Sequence, residues 1–309
     1  DTNEILGTYI AKTNSIHVVG APVGDESLRK PPPKHVGSIV KDTFTNEWRR
    51  AHRVTRTFTE LGFMKGKLPI DLYTSMRTYY YNNRDNIARE EWEDKGLFVN
   101  WYEKEAFMIC MPWKLKSYWQ TRLKVLVEAW SGVKLELTDI YGMRRYEDGA
   151  RLLTHVDREQ THAASLIVNI AQIAMREPWM LEIYDFAGRL HEVEMDEGDI
   201  VYYESARCLH GRMRALHGKA YINLFAHYRP IGDPNWFMKS NPIDNPEQCI
   251  DINSATDDIK NIYNQYISPS GQTLTGPETL WNYWVDMGHE AEKTHQFQPV
   301  SYFPDNLSY

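Results

Sequence analysis

Cysteine is scarce in this chain. Only Cys110, Cys208 and Cys249 occur among 309 residues. An odd number at wide spacing gives no disulfide framework, and no Cys-x-x-Cys pair is present to form a zinc knuckle. The expected home is therefore the cytoplasm or another reducing compartment, although a chain that opens at Asp1 leaves room for a removed targeting segment. Long apolar runs are also missing. No stretch of about 18 apolar residues exists to span a membrane. Nor is there an excess of positive charge: the formal net charge is -7, which argues against nucleic-acid binding, whose usual footprint is a basic patch. Basic pairs such as Arg49-Arg50 and Arg144-Arg145 are short and interleaved with acids. No repeat or low-complexity tract appears.

What is present is an ordinary globular composition, 42% hydrophobic and 25% charged, on a chain long enough to bury a large core. The 10 Trp and 19 Tyr favour a packed, β-rich body. Residues 1–40, with Val23-Gly24-Asp25 and Pro31-Pro32-Pro33, read as an extended arm. Helical patterns follow over 43–56 and over 70–81, where Leu72, Met76 and Tyr79-Tyr80 share a face. Residues 106–111 suit a strand ended by Pro112. Leu115, Trp119, Leu123, Leu126 and Trp130 then space an amphipathic helix over 114–130, stopped at Gly132.

From residue 135 the character changes to short strands parted by turns. Strands are expected over 136–145, 152–156, 165–171, 179–185, 190–195, 200–203 and 221–228, with turns at Asp148-Gly149, Ala187-Gly188 and Glu197-Gly198-Asp199. This spacing predicts a mainly β fold with flanking helices, its core a jelly roll, and not alternating βαβ units. The organisation expected is an N-terminal arm with helical support (1–134), a catalytic core (135–230) and a C-terminal helical extension or lid (231–309). Helices are expected near 257–266 and 278–292.

Chemistry concentrates at His155-Val156-Asp157 and at the distant His210. On a strand, residues two apart face the same way, so His155 and Asp157 would aim an imidazole and a carboxylate at one point. A second imidazole from His210 would complete a 2-His-1-carboxylate face, the ligand set of non-haem Fe(II) sites with open positions. A His-x-Asp triplet also arises by chance, so its surroundings matter. Arg144, Arg145, Arg151 and Arg158 crowd the triplet in an acidic chain. Either they are solvated edges, or Arg144, Arg151 and Arg158 include groups that bind a carboxylate-bearing substrate. His162, His191, His217 and His227 read as structural or supporting. Arg158 to His162 could orient the metal carboxylate.

With Tyr146, Gly149 and the Glu197-Gly198-Asp199 turn added, residues 136–230 resemble the 2-oxoglutarate/Fe(II) dioxygenases of the prolyl-4-hydroxylase-like branch, which carry Tyr nine and Gly six residues before the first metal histidine. The longer strings Tyr141 to Gly149, His155 to Arg158 and His210 to Arg212 are also similar to algal relatives of the kainoid synthase type, which close a ring. The resemblance implies a jelly-roll oxygenase holding Fe(II) on His155, Asp157 and His210. It would use 2-oxoglutarate and O2, with ascorbate as a candidate accessory. The partner would be a small molecule, oxidised by hydroxylation or by ring closure, with neither nucleic acid nor membrane involved.

Two positions depart from that branch. The lysine expected ten residues after the distal histidine is Ala220, with Lys219 one step earlier, and a one-residue shift turns a strand side chain to the other face. The tyrosine expected three residues before the first metal histidine is Leu152. Arg212 and Lys219 are therefore the leading candidates for the far carboxylate of the cosubstrate, since a dianion needs a cation with hydrogen-bond geometry. Tyr146, Ser165 and Asn169 are candidates to assist. A peptidyl-prolyl hydroxylase and a non-catalytic jelly-roll binding protein are the alternatives.

Overall fold

The computed structural model describes residues 15–17, 46–91, 106–186, 188 and 190–239. Thirteen strands occur among them, β1 (Ser15–His17), β2 (Phe63–Lys67), β3 (Ile87–Glu91), β4 (Phe107–Ile109), β5 (Leu135–Asp139), β6 (Met143–Glu147), β7 (Leu152–His155), β8 (Ala164–Ile173), β9 (Leu181–Tyr184), β10 (Leu190–Val193), β11 (Asp199–Tyr203), β12 (His210–Arg212) and β13 (Ala220–Pro230). The helices are α1 (46–53), α2 (Ile70–Asn83) and α3 (Trp113–Ser131). The helices expected near 257–266 and 278–292 lie outside the described residues.

Two sheets form. The larger runs β1-β3-β4-β6-β13-β8-β11-β2, with β5 also paired to β13; the smaller runs β10-β9-β12-β7. Pairing is antiparallel except between β1 and β3. This is the expected jelly-roll arrangement. The large sheet also takes strands from before residue 135, since β2 pairs with β11 and β4 with β6. The expected strand over 136–145 is two strands, parted at Ile140–Gly142 before Met143 opens β6.

Alternation on the large sheet sorts its side chains into two cores. On β13, Ala220, Ile222, Leu224, Ala226 and Tyr228 join Leu72, Met76, Trp119, Leu123 and Val127 of α2 and α3 in a core on the outer face. Tyr221 and Phe225, on the opposite face, join Tyr146, Ile167, Val201, Leu181 and Ile183 in a core between the sheets. The apolar stripe of α3 therefore buttresses the large sheet, as its spacing predicts. Its end is fixed by Gly132, at φ 68°, whose N–H donates to Glu128 O. That left-handed conformation suits glycine and strains residues with a Cβ.

Candidate metal centre

The site is assembled at one end of the inter-sheet space. His155 ends β7 and His210 opens β12, and the two are direct cross-strand partners. Their ring centroids are 4.5 Å apart. Each ring is oriented by its own strand: His155 Nδ1 lies 2.7 Å from Leu153 O, and His210 Nδ1 lies 2.9 Å from Cys208 O. A carbonyl can only accept, so Nδ1 is the donor in both and each Nε2 keeps its lone pair. Tyr203 packs edge-on against His210 at 4.7 Å.

Asp157 arrives differently from the expectation. β7 stops at His155, so the carboxylate stands just past the strand end and not within it. Its backbone N–H donates to Ser205 O at 2.9 Å. Asp157 Oδ1 lies 3.8 Å from His155 Nε2 and 4.0 Å from His210 Nε2. Both distances exceed hydrogen-bond reach, so two lone pairs and a carboxylate face a common point without bonding one another. Asp157 Oδ2 is buried with no hydrogen-bond partner among the described residues.

The protonation states suit a cation. Burial pushes His155 down to about 3, with His210 adding to the effect and Asp157 opposing it. Burial likewise lowers His210, against Asp157. For Asp157, burial acts upward but the surrounding imidazoles of His162, His210, His227 and His155 outweigh it, holding the carboxyl below the usual carboxylate range. Neutral imidazoles and an ionised carboxylate are what a divalent first-row metal takes from such a set. The three residues therefore fit Fe(II).

Asp157, His162 and His227 also lie close enough to share an ion. However, His162 Nδ1 is already engaged by the Thr161 hydroxyl at 2.6 Å, and the His162 and His227 rings are tilted by 32° with centroids 3.8 Å apart. His227 Nδ1 is instead 2.8 Å from Ser165 Oγ, which is 2.6 Å from Ser205 Oγ, and it faces Asp157 Oδ2 at 3.7 Å. These histidines support the carboxylate. His191 pairs with Asp185 at 3.0 Å, and His217 is exposed.

The basic residues separate clearly. Arg212, two residues beyond His210 across a register shift of the β12–β7 ladder, is only 2% exposed. Its guanidinium lies over the rings of Trp179 and Tyr221, at 4.5 and 4.8 Å, and donates to Trp179 O and Met195 Sδ. No carboxylate among the described residues forms an ion pair with it. The hydroxyls of Tyr146 and Tyr221, cross-strand partners on β6 and β13, are buried beside the guanidinium groups of Arg144 and Arg212 respectively. Burial raises both phenols, while Arg144 pulls Tyr146 down and Arg212 pulls Tyr221 down. Both remain O–H donors at neutral pH.

Arg144 is bonded through two nitrogens to Glu90, each at 2.6 Å. Arg151 is buried and donates to Met213 O at 2.7 Å. Arg158 is exposed, one residue past Asp157. Lys219 is exposed, and Ala220 belongs to the outer core beneath the helices. The lysine position of the resembled branch thus faces away from the inter-sheet space in this chain. Ser165 is held by Ser205 and His227, and Asn169 by Asn223, Ile222 O and Gln172. Sequence reasoning missed Glu47 and Arg50 of α1. Glu47 accepts the Val156 N–H at 2.9 Å, and Arg50 donates to Asp157 O at 3.0 Å. Contacts spanning over a hundred residues leave no local signal.

No protein-family model and no curated protein matches the chain. Solved structures similar to it include a prolyl-4-hydroxylase from Pseudomonas putida, at 16% identity and TM-score 0.41, over 64% of this chain and 100% of that one. A prolyl hydroxylase from Trichoplax adhaerens, in complex with a hypoxia-inducible factor peptide, is 12% identical with TM-score 0.43, over 60% and 90%. HygX from Streptomyces hygroscopicus, with nickel, 2-oxoglutarate and hygromycin B bound, is 14% identical with TM-score 0.38, over 61% and 94%. Likenesses this remote assign no function, and the donor atoms themselves carry the argument.

Proposed function

We propose that the protein is an Fe(II)- and 2-oxoglutarate-dependent oxygenase acting on a C–H bond of a small, carboxylate-bearing, amino-acid-derived substrate. The reaction is a hydroxylation or an oxidative ring closure. The observation that carries this reading is the convergence of His155 Nε2, His210 Nε2 and Asp157 Oδ1 on one point, with no hydrogen bond among them. When bound, iron supplies the activation of O2 that side chains cannot.

The remaining tasks fall to the chain. Arg212 offers a buried cation with no ion-pair partner among the described residues, two residues from His210 on the same strand. An acid bound there would neutralise the buried Arg212 and could also accept from the neighbouring Tyr221 hydroxyl. Arg158, exposed beside Asp157, is the arginine that remains available to a substrate carboxylate. Positioning of the substrate against the metal then selects between hydroxylation and ring closure.

The test is 2-oxoglutarate-dependent succinate release by iron-loaded protein, compared with His155→Ala. Release should be lost in the variant, and equal release by both proteins would sink the assignment. A panel of small amino-acid-derived acids and of proline-rich peptides, read by mass shift, separates the small-molecule reading from the prolyl alternative.

A further inference from the structure

Resting on the metal reading above, we infer that Glu47 and Arg50 of α1 form a brace that sets the metal-ligand geometry, by standing in for the neighbouring strand that Asp157 lacks. The need for a substitute follows from the end of β7 at His155. Beyond that residue the ladder no longer fixes the backbone, yet Asp157 must meet two histidines that are fixed.

The brace grips the peptide from both sides. Glu47 Oε2 accepts the Val156 N–H at 2.9 Å. Arg50 donates through Nη2 to Asp157 O at 3.0 Å and through Nη1 to both oxygens of Glu47, at 3.0 and 2.8 Å. One acceptor and one donor, joined as an ion pair three residues apart on a helix, thus supply the partners for a backbone N–H and a backbone C=O that a ladder would otherwise supply. Ser205 O, holding the Asp157 N–H at 2.9 Å, supplies a third point. Asp157 is held by backbone contacts before and after it, and only rotation of its own side chain is left.

The helix is anchored to do this. Val54, just past α1, packs with Ala163, Ala206 and Trp236, and the Trp236 indole donates to Glu159 O at 2.7 Å. Glu47 is 4% exposed, so its carboxylate has left water for these partners. Groups that orient a metal ligand from outside commonly change metal affinity by about 10–100-fold when removed. Glu47 and Arg50 are positioning residues in this sense.

The experiment uses Co(II) alone as the probe, with affinity read from its visible absorption and the unfolding temperature of the metal-free protein measured in parallel. Glu47→Ala and Arg50→Ala should weaken Co(II) binding about 10–100-fold. Glu47→Gln, which keeps an acceptor for Val156, should lose less, and Arg49→Ala, an exposed change on the same helix, should lose nothing. A fall in unfolding temperature with unchanged Co(II) affinity would make the pair merely structural and overturn the brace. Should the alanine variants not fold, hydrogen exchange on the unaltered metal-free protein decides: Val156 N–H must be protected like the amides of β7, and rapid exchange overturns the proposal. If His155→Ala binds Co(II) as tightly as the unaltered protein, the metal reading fails. If only the brace variants do, the brace alone fails.

Discussion

Across the ladder between β12 and β7, His210 stands opposite His155, and Gly211 permits that approach. A Cβ on Gly211 would lie 2.8 Å from Thr154 Cα and 2.9 Å from both Leu152 O and Thr154 N. These are backbone atoms, which cannot swing aside. Gly211→Ala should therefore push β12 away from β7 and spread the two imidazoles. The expected result is a loss of about 1–3 kcal/mol in urea unfolding, together with weakened Co(II) binding. Unchanged binding would show that the histidines tolerate the shift.

Arg212 makes a prediction that runs in opposite directions with and without ligand. Arg212 is buried with no ion-pair partner among the described residues, and a buried cation in that state costs stability, so Arg212→Met should stabilise the ligand-free protein by about 1 kcal/mol. Lost contacts with Trp179 and Tyr221 offset part of that gain. In the metal-loaded protein, 2-oxoglutarate should raise the unfolding temperature of the unaltered chain and not of the variant. An equal rise in both would remove Arg212 as the carboxylate partner.

Glu90 is the counter-charge bonded to buried Arg144. Glu90→Ala removes that carboxylate and should cost about 3–5 kcal/mol, measured by denaturant unfolding. A loss below about 1 kcal/mol, the range of an exposed pair, would show that water reaches Arg144.

Glu204 gives a pH dependence. Burial pushes its carboxyl up to about 7, although donors on Thr59 and Phe58 pull the other way. The folded form then holds a proton that the unfolded chain releases near the ordinary value of 4.5. Stability from this group is full below about pH 4.5 and falls as pH rises through about 7. The total is about 3 kcal/mol. Glu204→Gln should flatten that slope in unfolding measured from pH 5 to 8. A slope identical to that of the unaltered protein would remove Glu204 as its source.

Much of the fold is legible in residue patterns because alternation is a local property. Helices 70–81 and 114–130 are observed as Ile70–Asn83 and Trp113–Ser131, and the strands of the core fall close to their expected places. Elements without apolar alternation escape such reading. β12 is only His-Gly-Arg, and β2 reads Phe-Met-Lys-Gly-Lys. Both are strands because of the neighbours they pair with. His155 and His210 were identifiable from the motif, whereas the position of Asp157 past the strand end depends on partners from 47 to 205. The arginines show the same limit. Sequence places Arg144 and Arg212 near His155 and His210, but only the fold distinguishes one bonded to Glu90 from one with no carboxylate partner among the described residues.

The parity of β13 has a practical consequence. Its even-numbered residues from 220 to 228 pack beneath the helices, while Tyr221 and Phe225 line the inter-sheet space and His227 faces the Asp157 carboxylate. A single strand therefore carries two separately mutable alphabets. A variant library confined to Tyr221 and Phe225 would vary the core between the sheets and leave the helix-bearing face intact, which makes this strand the natural place to retune selectivity.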